Sequence, residues 1–122
     1  MNIEIIREYC LSLPETTESF PFDEVTLVFK VANKIYALVN LDGEPSINLK
    51  CNPEKATELR EQYSSVTPGY HMSKIHWNTV LLDGSVNNKL IFEWIEHSYF
   101  LVVSKLNKID RLLINNKFLK LS

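Results

Sequence analysis

Glycine is scarce in this chain of 122 residues: only Gly43, Gly69 and Gly84 occur, each in a turn context. A loop that cradles phosphates needs several side-chain-free backbone positions at short spacing, so no glycine-rich nucleotide loop is present. Cysteine is scarcer. Cys10 and Cys51 lie far apart within apolar patterns, which points to buried reduced thiols rather than a disulfide or a metal pair. No stretch approaches the roughly 18 to 20 consecutive apolar residues of a membrane span. The acidic, early-charged start has neither the basic nor the apolar region of a signal peptide. The expected location is therefore the cytosol, with no membrane partner. Internal repeats, low-complexity tracts and Gly/Ser linkers are missing too, so residues 1–122 are expected to form one domain.

A basic excess is also lacking. The net charge is -2, but it is unevenly spread. Residues 1–73 hold six Lys or Arg against eleven Asp or Glu, a net of -5, and residues 74–122 hold seven against four, a net of +3. A protein whose main ligand is nucleic acid often has a basic domain. Any phosphate-binding surface here must be local, with modest, salt-sensitive affinity.

What is present is an ordinary globular composition, 45% apolar and 23% charged, enough to bury a core. Ile3, Ile6, Cys10 and Leu13 mark one helical face, with Asn2 as a candidate N-cap and Pro14 ending the helix. Residues 14–24 combine turn formers and acids around Phe20 and Phe22, which reads as a loop pinned by aromatic side chains. Residues 25–51 are rich in β-branched and aromatic residues and read as a long hairpin, turning at Ala32 to Lys34, followed by a third strand. Period two puts Leu27, Phe29 and Val31 on one face of the first strand; in the second, Ile35, Ala37 and Val39 alternate with Tyr36, Leu38 and Asn40.

Asn52-Pro53 starts a short amphipathic helix. One or two strands follow within residues 67–82, ending at an Asp83-Gly84 turn, and residues 88–106 carry one broad apolar stripe that includes Trp94 and Tyr99, the main packing helix, with His97 off it and exposed. The last segment, from Asn107, reads as a helical turn or two. The expected fold class is α+β: a two-layer sandwich, mostly antiparallel sheet with helices packed on one face.

Four stretches, "ESFPFDEVTLVFKVANKIYALV", "LKCNPEKATELR", "TPGYHMSKIHWNTVLLDG" and "SYFLVVSKL", together resemble the MmcQ/YjbR-like family of small bacterial proteins. The likeness runs from about residue 15 to about residue 106, and Pro-Gly-Tyr-His followed by Lys-x-His-Trp is its most specific part. The resemblance implies a fold similar to the CyaY-like two-layer domain and a "double wing" arrangement, two β-hairpins that approach DNA. It supplies no catalytic motif. Asp23 stands where the family pattern has Gly after Pro-Phe, and Tyr36 takes a usual Phe position; the first adds a negative charge near a hairpin base.

Chemistry is most concentrated in "TPGYHMSKIHWNTV", residues 67–80. A two-residue turn at Ser73-Lys74 would set His71 across from His76, two metal ligands where three or four are needed. Ser73 lacks a nucleophile elbow, and Glu15 and Glu18 read as a solvated pair in a polar loop. No catalytic residue, metal or cofactor is expected, and the chain is expected not to be an enzyme. Nucleic-acid contact draws on Lys74, His76, Trp77 and Asn78, which offer a cation, a titratable donor, a stacking surface and an amide. His71, Lys30, Lys34 and Lys50 extend that candidate surface. The expected function is weak DNA binding through β-hairpin wings; the alternative is a non-enzymatic module that binds a protein or a small anion.

Overall fold

Every helix begins on an asparagine. In this computed structural model, which describes residues 2–69 and 72–121 (side chains of the last two excepted), Asn2 accepts the Glu4 N–H at 2.8 Å to open helix α1 (Ile3–Ser12). Asn52 accepts from Glu54 ahead of α2 (Pro53–Gln62), and Asn87 from Leu90 ahead of α3 (Asn88–Val103). Asn107 accepts from Asp110 at 2.9 Å in the first turn of α4 (Lys108–Leu121). Each such bond satisfies one of the N–H groups a helix start leaves unpaired, and replacing it by Ala typically costs about 1 kcal/mol. The last segment is thus a helix of four turns rather than one or two. Its inner side carries buried Ile114, while Ile109, Leu112, Leu113 and Leu119 are exposed.

Among the described residues six strands form one sheet: β1 (Thr16–Ser19), β2 (Thr26–Val31), β3 (Lys34–Asn40), β4 (Ser46–Lys50), β5 (Val66–Pro68) and β6 (Trp77–Leu81). Their spatial order is β1-β2-β3-β4-β6-β5, and every neighbouring pair is antiparallel. The α+β fold with helices on one face is as expected. Ala32 and Asn33 turn β2 into β3 with φ of 48° and 66°, the left-handed pair that suits the twist of a two-residue hairpin.

The 14–24 segment differs from its reading as a loop. Thr16–Ser19 is an edge strand whose partner is β2, and Phe20 and Phe22 are exposed rather than pinning anything. Nor are the two acids merely solvated: Glu18 takes a two-pronged bond from Arg7 of α1, at 2.8 and 2.6 Å, and Glu15 pairs with Lys117 of α4. The edge strand is tied to the helix layer by charge because it has no apolar side chain to bury.

The larger departure is in β3. The β2–β3 register changes from Phe29↔Ala37 to Lys30↔Ile35, so Tyr36 is an extra residue, a β-bulge. Tyr36 and Ala37 both turn to the helix side and are fully buried, and Ile35 moves to the other face with Leu38. The simple alternation expected of Ile35 to Asn40 fails at this point. Inside the core the Tyr36 hydroxyl donates to the Cys10 carbonyl at 3.2 Å and meets Thr16 Oγ1 at 2.9 Å. Its ring stands edge-on to Tyr99 at 5.2 Å. Burial pushes the Cys10 thiol up to about 12, and both cysteines are free and buried.

A bulge leaves ladder groups without partners, and Ser98 of α3 takes two of them. Its hydroxyl donates to the Tyr36 carbonyl at 2.6 Å and accepts the Lys50 N–H at 2.8 Å, so one helix residue, itself fully buried, bridges β3 and β4. The neighbouring His97 is half-buried rather than exposed, and its Nε2 accepts the Asn52 N–H at 3.3 Å. Burial, then the nearby Lys55, hold this imidazole below its ordinary value.

Two outcomes follow from this packing. Ser98→Ala leaves a buried N–H and a buried carbonyl unpaired and should lower unfolding stability by about 1 to 3 kcal/mol; an unchanged urea midpoint would contradict the bridge. A histidine held neutral in the folded state takes up a proton more readily when unfolded, so its contribution is present above the unfolded value of about 6.5 and is lost as pH falls below it. Urea midpoints measured across that interval should fall more steeply for the wild type than for His97→Gln, and parallel curves would argue against the assignment.

Candidate functional site

The helices cover only one side of the sheet. On the other, Val28 of β2, Leu38 of β3 and Trp77 of β6 form a second apolar cluster, with Ile35 and Met72 packed against it and, among the described residues, no helix residue in it. Alternation puts Thr26, Val28 and Lys30 of β2 on this uncovered face, together with Ser46, Asn48 and Lys50 of β4 and Trp77, Thr79 and Leu81 of β6. Lys30 is paired with Ile35, and Lys50 with Trp77. The β3–β4 register, continued one step past Ala37↔Leu49, sets Lys50 beside the bulge. Lys30 and Lys50 therefore flank β3 on one face, two strand spacings or about 10 Å apart.

Both connections that carry the remaining lysines project from this same end. One is the β2–β3 turn at Ala32 and Asn33, with exposed Lys34 beside it. The other is the β5–β6 connection, with exposed Lys74, Ile75 and His76. It is not a two-residue turn at Ser73-Lys74. Trp77 and His76 both donate their N–H to the Ser73 carbonyl, at 2.9 and 3.2 Å, which coils residues 73–77 into a helical turn. The ladder below it runs Pro68↔Asn78, closed by Gly69 N–H to the Trp77 carbonyl at 2.7 Å. His71, expected opposite His76, lies outside the described residues.

Arg60 of α2 holds this connection. It donates Nε to Asn78 Oδ1 at 2.6 Å and Nη2 to the Trp77 carbonyl at 3.2 Å, and Nη2 also reaches the Lys74 carbonyl. Asn78 is 3% exposed and its amide nitrogen donates to the Ala56 carbonyl at 3.3 Å. Its side chain is spent on anchoring β6 and is not offered to solvent. Trp77 is likewise 8% exposed, its ring packed in the uncovered-face cluster, so it presents no free stacking plane. Of the eight residues singled out in the sequence, Lys30, Lys34, Lys50, Lys74 and His76 share the turn-bearing end of the sheet, while Trp77 and Asn78 brace it. Among the described residues no three His, Cys, Asp or Glu side chains gather as a metal would require.

Sequence reasoning missed the opposite end of the uncovered face. A groove of about 700 Å³ starts at Ile35 and Met72 and runs along the face over Leu38 and Leu81 to that end, with Thr26, Asn48 and Thr79 along it. Among the described residues the charged side chains lining it are Asp23 and Glu44, and no lysine does. Asp23 accepts from the N–H groups of Val25 and Thr26, at 2.9 and 2.7 Å, and those bonds hold its carboxyl below the usual range. The face is polarised: cations at the turn end, carboxylates at the other.

The family model described as YjbR matches residues 11–101. The chain is 35% identical over 115 residues to the Escherichia coli K12 chain named "Uncharacterized protein YjbR", covering 93% of this chain and 98% of that one. It is 38% identical over 109 residues to YbdF of Escherichia coli O157:H7, covering 88% and 89%. A crystal structure from Deinococcus radiodurans with a DUF419 domain superposes with a TM-score of 0.88 at 40% identity, covering 93% of this chain and 88% of that one. A Pseudomonas syringae crystal structure gives 0.73 at 31%, covering 83% and 98%. No helix among the described residues is long and apolar enough to cross a membrane.

The close approach at Gly69 is the local feature most open to test. A Cβ there would lie 2.6 Å from Trp77 Cβ and 2.9 Å from the Trp77 carbonyl oxygen. Gly69→Ala should displace Trp77, shift its indole N–H resonance and lower stability by about 1 to 3 kcal/mol; a wild-type indole shift with wild-type stability would show that the strands are not so close.

Proposed function

The chain belongs to the YjbR family, and from its geometry we propose that it is a non-catalytic, cytosolic DNA-binding module that grips phosphates with the turn end of its uncovered sheet face. The observation that carries this reading is the position of Lys30, Lys34, Lys50 and Lys74, drawn from three separate stretches of sequence yet at one end of one sheet. Two projecting connections share that end, one from the β2–β3 pair and one from the β5–β6 pair. Three strand spacings separate the midlines of the two pairs, about 14 Å, close to the roughly 12 Å width of a B-DNA major groove. Wings so spaced reach phosphates on both sides of a groove, and Lys50 supplies a cation between them.

Phosphate contact fits the site better than base reading. Trp77 and Asn78, the residues with stacking and amide chemistry, are buried in packing, while the lysines and His76 are at least partly exposed. Contacts to phosphate orient a protein on the duplex and carry no sequence information. With a net charge of -2 and about four lysines, binding is modest at physiological salt. A small anion seated between Lys30 and Lys50 is the second reading, favoured by the same burial of Trp77, which leaves a compact pair of cations rather than a stacking platform.

Fluorescence anisotropy with a short DNA duplex, repeated across salt concentrations, separates these readings. Four phosphate contacts predict a log–log slope of about -3.6, and Lys30→Ala combined with Lys50→Ala should bring it to about -1.8. No binding at low salt, or a slope indifferent to the two substitutions, would remove the DNA reading; binding of inorganic phosphate alone at this end would favour the second.

A further inference from the structure

We propose that the groove at the carboxylate end of the uncovered face is a separate site for a small organic cation with an apolar body, an aryl- or alkylammonium. Its carboxylates, Asp23 and Glu44, lie away from the lysines, and the proposal does not rest on the DNA reading. Its volume of about 700 Å³ lies in the range of about 300 to 1,000 Å³ usual for small-ligand pockets. The floor is apolar, through Ile35, Leu38 and Leu81, and suits a hydrocarbon or ring rather than a hydrated ion. Among the described residues its charges are of one sign: Asp23 and Glu44 line it and no cation does.

One further observation points to a ligand. Phe22 lines the same groove and is 64% exposed. An uncovered aromatic ring beside carboxylates is the combination that holds ammonium groups, through the negative face of the ring and the charge of the acid. Ser46, Asn48 and Thr79 also line the groove and add hydroxyl and amide groups to its polar side. Lys30 and Lys50 on the same face repel a cation toward Asp23 and Glu44, and those two carboxylates disfavour an anion of the same size in the groove.

The test uses the full chain, labelled with ¹⁵N, and three probes matched in ring size: benzyltrimethylammonium, benzyl alcohol and benzoate. The ammonium probe should shift amides in residues 22–26, 38–40 and 44–48, with affinity at least several times that of either other probe. Both Phe22 and Glu44 are exposed, so the changes below leave the fold intact. Phe22→Ala should weaken the ammonium probe by about two- to fivefold and Glu44→Gln by up to about fivefold. The proposal is overturned if the ammonium probe leaves the groove amides unmoved, if benzoate or benzyl alcohol binds there as well as the cation, or if neither substitution weakens it.

Discussion

At Tyr36 the third strand carries one residue more than its neighbours, and the buried Ser98 hydroxyl closes the gap that results. Much of the molecule depends on that junction. The extra residue sends Tyr36 and Ala37 together into the core, where the Tyr36 hydroxyl ties β3 to the end of α1 through the Cys10 carbonyl. It also rotates Ile35 onto the uncovered face, where it joins Leu38, Val28 and Trp77. Without the bulge, Ile35 would sit among the helices and the uncovered cluster would lose a member. Buried polar bonds of this kind contribute little net energy when made but cost much when broken, so the bridge fixes register more than it adds stability.

From that register comes the division of the uncovered face. Antiparallel pairing brings the end of β2, the end of β4 and the start of β6 to one edge, and Lys30, Lys50 and the 73–77 turn arrive there together. The same pairing carries the start of β2 and the start of β4 to the other edge, with Asp23 and Glu44 in the loops before them. A chain with a net charge of only -2 thereby acquires a face with two ends of opposite sign. The field across such a face acts on where a charged partner lands more than on how tightly it is held.

The parts of this arrangement visible in the sequence are those with strong local contrast. Asn52-Pro53 before an amphipathic run marks a helix start in any context, and the spacing of Trp94 and Tyr99 marks a buried stripe. The bulge was invisible because Ile35, Tyr36, Ala37, Leu38 and Val39 are all apolar, so a period-two pattern has nothing to set one face against the other. Thr16–Ser19 was missed for the opposite reason. An edge strand of Thr, Thr, Glu and Ser has no apolar residue to reveal its face, and it is held by Arg7 through Glu18. The lysines could be named as candidates, but their convergence depends on the order β2-β3-β4-β6, which pairs strands distant in sequence. Trp77 and Asn78 looked like recognition chemistry because their types are common at interfaces; only the packing around Arg60, Ala56 and Leu38 assigns them to bracing. The carboxylate groove had no signature at all, since an uncovered sheet face is a property of the tertiary fold.

The central claim is that the uncovered face works through its lysine end, and a map of amide resonances during titration with a short DNA duplex at low salt tests it most directly. The account predicts that shifts concentrate in residues 30–34, 50 and 73–77, leave residues 23–26 and 44–48 near their starting positions, and vanish as salt is raised. Shifts centred on the helix layer, or spread evenly over the surface, would contradict it.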